Sequence, residues 1–314
     1  MMNRPYKRRR TRAFLWRCYT IGLAVLMLIA QPLAAIELER YHQAGDLPPI
    51  QDPGLMTSLE FMLCDMGYCG LVNEDRLAVA VVLLDESLAP RLAMVNGHHM
   101  MYAASLPKLA IALGALVAAE RGQLTLDNNL LEDMNAMMRV SCNDCATRVL
   151  ARVGREPLLS ILQDPQYAFY DADRSGGLWV GKDYAGADAY HRDPIDGLSH
   201  AATAYQVARL YYRLDTGSLL NERYTAIMRD ILSRPGIEHK FVAGLAGEEE
   251  LSMLRKSGSW KQFHADSALI QQNGLTYILV ALVDDDNGEQ ILRKLATGVH
   301  ALMQSASNSS RAVP

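Results

Sequence analysis

The 314-residue chain has no internal repeat, no low-complexity block and few charges: 21% of its residues are charged against 50% hydrophobic. That balance excludes wholesale disorder and a coiled coil, and the length suits one large domain or two ordinary ones. Acid is missing altogether from residues 1 to 35, which hold seven basic residues from Arg4 to Arg17. The rest keeps 24 basic against 35 acidic residues, a net of −11. A body this acidic repels phosphate backbones, so no nucleic-acid partner is expected. No H-E-x-x-H or comparable spacing occurs among the eight histidines. A metal hydrolase is therefore not expected, and neither a metal nor a cofactor is implied.

The basic start leads into an apolar stretch, Ile21 to Ala30, followed by Gln31-Pro32-Leu33-Ala34-Ala35 with small residues where a signal peptidase cuts. Residues 1–35 are expected to be a secretory signal. An uncleaved anchor in the cytoplasmic membrane, facing outward, is the alternative, because the uncharged run falls only slightly short of a bilayer span. Either way the body is exported, periplasmic or secreted, into an oxidising compartment, and meets a membrane only through this segment. Cysteine is sparse. With Cys18 in the leader, Cys64, Cys69, Cys142 and Cys145 remain, and four thiols allow three connectivities. Zinc is possible by ligand type, but export favours disulfides.

A polar linker, residues 36–53, precedes the body, expected at 54–304. Helical patterns cover Leu55–Met66, Leu106–Arg121, Asn129–Met138, Asp144–Val153 and Ala202–Leu214. Strands are expected at Leu77–Asp85 and Arg91–Val95, with an Asn96-Gly97 turn leading into another at His98–Tyr102. Further strands are expected at Met253–Ser259, Ala265–Gln271 and Leu275–Val283, the last two joined at Asn273-Gly274. His98 and His99 would then face opposite sides of a strand and form no ligand pair. Residues 305–314 read as a flexible tail. Strands at both ends and helices between predict an α+β fold: an antiparallel sheet flanked by the first and last helices, with an all-helical lobe inserted at about 105–204.

Ser105-Leu106-Pro107-Lys108 sits where a strand gives way to a helix, which puts hydroxyl and ammonium on one side. Alone, this is as well read as an N-capping serine with a surface lysine. Ser141-Cys142-Asn143, before a helix, and Lys256-Ser257-Gly258, on a strand before a hairpin, change that weighting. The ordered set S-x-x-K, S-x-N, K-S-G resembles the serine β-lactamase and penicillin-binding superfamily. The likeness is greatest to class A β-lactamases and covers roughly Leu55 to Gln304.

The resemblance implies that Ser105 is the acylated nucleophile and Lys108 its proton partner. Ser141 would relay a proton to the leaving nitrogen, and Asn143 would hold the substrate amide. Lys256 and Ser257 would meet the substrate carboxylate, and Gly258 would let the substrate lie along the strand edge. The N–H groups of Ser105 and Ser259 would form the oxyanion hole. The implied partner is a β-lactam or the D-Ala-D-Ala end of a peptidoglycan stem peptide. The implied activity is serine hydrolysis; a D,D-peptidase with slow β-lactam deacylation and a cell-wall binding protein with little turnover are the alternatives.

Two departures stand out. Only 36 positions separate Ser105 from Ser141, and no glutamate occurs between Glu156 and Glu222, where class A enzymes carry the E-x-x-L-N glutamate that activates water. Asp188 is the nearest carboxylate by spacing, while Glu156 reads as a solvated helix residue. Cys142-Asn143-Asp144-Cys145 has redox spacing, but a disulfide bracing the Asn143 loop is the better reading. Trp179 and Lys182 stand where the deacylation loop would be, either as loop packing or as cleft lining.

Overall fold

The run Leu77-Ala-Val-Ala-Val-Val-Leu-Leu84 is apolar on both faces, so as a strand it needs cover on both. In the computed structural model it forms the second strand of an antiparallel sheet, between a hairpin partner and a strand from the far end of the chain. Residues 41, 45–84, 89–186 and 188–311 are described, without side chains for 310 and 311. Two compact units divide the chain, Met1–Pro48 and Pro49–Pro314; all that follows concerns the second. The expected leader, residues 1–35, lies outside the described residues. Among the described residues no helix is long and apolar enough to cross a membrane.

Along the second unit run α1 (Pro53–Asp65), α2 (Cys69–Asn73), β1 (Leu77–Leu84), β2 (Arg91–Val95), β3 (Met101–Tyr102), α3 (Lys108–Glu120), α4 (Asn128–Arg139), α5 (Asn143–Val153) and α6 (Arg155–Gln163). Then come β4 (Tyr170–Asp171), β5 (Gly176–Gly177), β6 (Trp179–Val180), β7 (His200–Ala202), α7 (Ala204–Asp215), α8 (Glu222–Leu232), α9 (Phe241–Gly244), β8 (Ser252–Trp260), β9 (Phe263–Gln272), β10 (Leu275–Asp284) and α10 (Gly288–Arg311). The main sheet has the order β2-β1-β10-β9-β8. Its outer face buries Val79, Val81, Tyr277 and Leu279 under Leu55, Leu59 and Leu63 of α1 and Leu292, Leu295 and Val299 of α10. Helix α7 covers the inner face, packing on β1, β9 and β10.

The lobe is organised around α3, which is buried from Lys108 to Ala119. A helix apolar on every side must be wrapped, and α4, α5, α6 and α8 wrap it. Side chains cap three of the wrapping helices: Asp127 accepts from Leu130 N–H, Cys142 Sγ from Cys145 N–H and Asn221 from Tyr224 N–H.

Several expectations are corrected. The inserted lobe is not all helical, since β6, β7 and β3 form a small sheet and β4 pairs with β5. The β4–β5 pairing depends on Gly177 at φ 150°, where a Cβ would stand 1.9 Å from Phe169 O. The lobe also extends past residue 204, because α8 packs on α3 and α4. His98 and His99 lie in a turn rather than on a strand, and only Met101–Tyr102 pairs. The last of the expected linker belongs to the body: Gln51 bridges Leu92, and the Asp52 carboxylate caps α1 at Leu55 N–H and pairs with Arg91 at 2.8 Å. Nor do residues 305–311 fray, since α10 runs on to Arg311 with Ser307 buried.

Candidate active site

Strand β3 ends in a tight turn that delivers Ser105. Ala104 adopts φ 49°, a left-handed conformation that costs a non-glycine residue about 1–3 kcal/mol unless its surroundings enforce it. Two neighbours do so. Tyr184 Oη donates to Ala104 O at 3.0 Å, and Gly258 of β8 lies so close that a Cβ there would meet Ala103 O at 2.4 Å and Ser105 N at 2.7 Å. The turn then continues directly into α3, which places Lys108 at its first position.

Lys108 is fully buried. Its Nζ donates to Ser141 O at 2.6 Å, to Asn143 Oδ1 at 2.7 Å and to Ser141 Oγ at 3.3 Å, and it lies 4.5 Å from the centre of the Tyr184 ring. Burial pushes this ammonium down to about 7. The expected contact from Lys108 to the Ser105 hydroxyl is absent among the described residues. A charged ammonium takes the stronger acceptors on the lobe side, and only the neutral amine has a lone pair to offer a hydroxyl.

Ser141 sits between two lysines. Its backbone is left-handed, at φ 59°, and its Oγ accepts from Lys256 Nζ at 3.0 Å. Lys256 also donates to Ser257 O at 2.5 Å, and burial, with Lys108 nearby, holds it well below the usual lysine range. The Cys142–Cys145 disulfide, with Cα atoms 5.3 Å apart, closes the loop that carries Asn143; Cys64 and Cys69 are also joined. Of the three possible connectivities, the local one is realised.

Ser105, Asn143 and Ser259 line one open cleft of about 470 Å³ between lobe and sheet. Its other walls include Tyr102, Tyr184, Lys182, His200, Trp260 and Phe263, and no carboxylate lines it among the described residues. Asp188, expected from spacing as the nearest base, is exposed and does not line the cleft. Glu156 is exposed, as a solvated residue should be. Trp179 is buried against Tyr170 and donates to His191 O, so it packs the loop, whereas Lys182 does line the cleft.

Four neighbours of the site had no sequence signal. Tyr184 stacks on His200 with ring centres 4.2 Å apart. His200 Nε2 lies 3.0 Å from Lys182 O and so is the donor nitrogen, and burial pushes this imidazole down to about 4. His239 Nε2 lies 3.3 Å from Ser257 Oγ, and the buried Lys240 supports the same strand. Beneath them Arg255 and Asp266 form a buried ion pair at 2.7 Å.

The sequence model of the Beta-lactamase enzyme family matches residues 128–303, more than half of the chain. The chain belongs to that family. It is accordingly an enzyme of the serine hydrolase type with a β-lactamase/transpeptidase-like fold. The matched stretch contains Ser141, Asn143 and Lys256 to Ser259, while Ser105 and Lys108 lie upstream of it. Solved structures are similar over a larger share of the chain. The structure of PBP-A aligns with a TM-score of 0.61 at 16% identity, covering 82% of this chain and 99% of that one. A variant of the last common ancestor of Gram-negative bacteria class A β-lactamase gives 0.62 at 19% identity, over 81% and 99%. The β-lactamase from Sphaerobacter thermophilus DSM 20745 gives 0.59 at 14%, over 79% and 97%. The TM-scores establish a shared fold. No curated protein matches.

Proposed function

We propose that this enzyme forms a covalent acyl-enzyme through Ser105 on a β-lactam or a D-Ala-D-Ala-type amide, and that it releases the acyl group slowly, in the manner of a penicillin-binding D,D-peptidase. The observation that carries the reading is the cleft itself. It joins Ser105, Asn143 and Ser259, with Lys108, Ser141 and Lys256 hydrogen-bonded behind them, and it has no carboxylate wall among the described residues.

In the proposed reaction Ser105 Oγ attacks the amide carbon, and the neutral amine of Lys108 accepts its proton. The C–N bond breaks as Ser141, backed by Lys256, passes a proton to the leaving nitrogen. The N–H groups of Ser105 and Ser259 receive the oxyanion. Lys256 and Ser257 give positive charge and a donor for the substrate carboxylate. Deacylation then needs a base for water, and among the side chains lining the cleft Tyr184 has its hydroxyl engaged with Ala104 O and His200 donates to Lys182 O. A mutant of PBP-A is described as an acyl-enzyme complex with penicillin-G, and the proposal extends that chemistry to this chain.

Residues 1–35 are proposed as the export signal, or an uncleaved anchor, for a catalytic domain at 54–304. Two disulfides support an oxidising destination. Labelling with a fluorescent penicillin tests the core of the reading. The intact enzyme should be labelled covalently, the adduct should last minutes or longer, and Ser105→Ala should abolish labelling, since loss of a serine nucleophile costs about six orders of magnitude. Undiminished labelling of the alanine variant would remove Ser105 from the site. Rapid release of penicilloate would establish efficient hydrolysis instead.

A further inference from the structure

Lys240 belongs to none of the sequence motifs, yet it is fully buried behind the cleft wall. Its backbone is held at φ 51°. The loop that holds it is pinned from β8 and β9. Arg255 donates to Ile237 O at 2.8 Å and His239 O at 3.2 Å while pairing with Asp266, and Asp266 accepts from Phe241 N–H at 3.2 Å. A desolvated ammonium has to be matched by acceptors. Lys240 Nζ finds three: Gly258 O at 2.5 Å, Ser259 Oγ at 2.7 Å and Ala265 O at 3.1 Å.

The first of these acceptors matters most. Gly258 O and the Ser259 N–H are the two ends of one peptide group. A positive charge on the oxygen draws density from the nitrogen through the amide resonance, which makes the N–H a stronger donor. The same cation fixes the Ser259 side chain and so the rotation of that peptide. Burial pushes Lys240 down to about 8, with Asp266 opposing the shift, so the charge is largely retained at neutral pH.

We propose that Lys240 is a positioning residue that polarises the Gly258–Ser259 peptide from behind, and thereby strengthens the N–H that Ser259 turns toward the oxyanion during acyl transfer. The inference rests on the proposed acylation of Ser105.

The test uses the full-length enzyme, a fluorescent penicillin for the acylation rate, and a penicillin carrying a ¹³C-labelled lactam carbonyl for the infrared band of the acyl-enzyme. Lys240→Met removes both charge and hydrogen bonds; Lys240→Gln keeps a neutral donor. Removing an oxyanion donor outright costs about 10²–10³ in rate, so weakening one that remains is expected to cost on the order of tenfold. Both variants should acylate about that much more slowly, with the carbonyl band at higher wavenumber. Neither change should reach the label's site, which stays Ser105. Thermal melting identifies a variant that does not fold, and if Lys240→Met is lost in this way Lys240→Gln decides. A Lys240→Gln enzyme with the original rate and an unmoved band would reduce Lys240 to a filler of acceptors and overturn the proposal. Absence of acylation in the unmodified enzyme would instead overturn the functional reading, and the inference with it.

Discussion

Replacing Gly258 by alanine adds one methyl group at the place where sheet and lobe meet. The new Cβ would stand 2.4 Å from Ala103 O, 2.7 Å from Ser105 N and 2.8 Å from Leu106 N. All three are backbone atoms, so no side chain can rotate out of the way. Ordinary carbon contacts begin near 3.5 Å, so the Ser105 turn and β8 have to separate by roughly 1 Å. Overpacking of this kind costs about 1–3 kcal/mol, and at about 2–4 °C per kcal/mol for a domain of this size the melting point should fall by several degrees. The effect on acylation should be larger. The displaced turn carries both the proposed nucleophile and one oxyanion donor, β8 carries the other, and a misplacement of 1 Å can cost about 10²-fold. Measuring the penicillin labelling rate beside the thermal melt separates the two effects. A Gly258→Ala enzyme that labels at the original rate would show that Ser105 and β8 do not act as one site, and the geometric reasoning would be wrong.

Four further outcomes are expected. Lys108, pushed down to about 7 by burial, is mostly protonated below that pH and cannot accept a proton, so the acylation rate should rise through pH 7 and level off above it; a flat profile would remove it as the base. Reducing Cys142–Cys145 should slow acylation more than it lowers helix content by circular dichroism, because the bridge braces Asn143, and equal losses would make it a general staple. Asp266→Ala leaves Arg255 buried without its partner, which should destabilise the fold by about 3–5 kcal/mol in a denaturant titration. Asp188→Asn should leave the adduct's lifetime unchanged when labelled protein is chased with excess unlabelled penicillin, and a longer lifetime would bring that exposed carboxylate into the reaction.

The residues legible in the sequence were those with a local pattern. Ser105 and Lys108 lie one turn apart at a helix start, Ser141 and Asn143 flank a cap, and Lys256 to Gly258 sit on a strand that precedes a hairpin. That Lys256 reaches Ser141 across 115 positions follows from no local pattern; only the resemblance joined the motifs. The main strands were found to within about two residues because their apolar runs are long. Helix α6 was hidden by Pro157 three positions into it, a residue that reads as a break although the first turn tolerates it. The short strands β4 to β7 have two or three residues each and carry no periodicity to read. Tyr184, His200, His239 and Lys240 were invisible for a different reason. Each is defined by what tertiary packing brings to it, as Ala104 O is brought to Tyr184 and Gly258 O to Lys240.

The two margins of the main sheet are treated differently. On the β2 side the chain seals itself: Gln51 bridges Leu92, Asp52 N–H donates to Leu92 O, and the Gln51 side chain accepts from Met94 N–H. On the β8 side no further strand pairs with the sheet among the described residues; α8 packs on β8, the Ser105 turn covers Gly258, and the strand ends in Trp260 with 57% of its surface exposed. An unsealed margin invites pairing with any passing extended chain, another copy of this protein included. In the proposed function the substrate lies along β8, which requires that margin to stay open, so resistance to aggregation and access for the guest are opposed at the same few backbone groups. Crowded storage should therefore be hardest on the empty enzyme, and a small acyl group lodged beside β8 should act as a guard against self-association as well as an inhibitor.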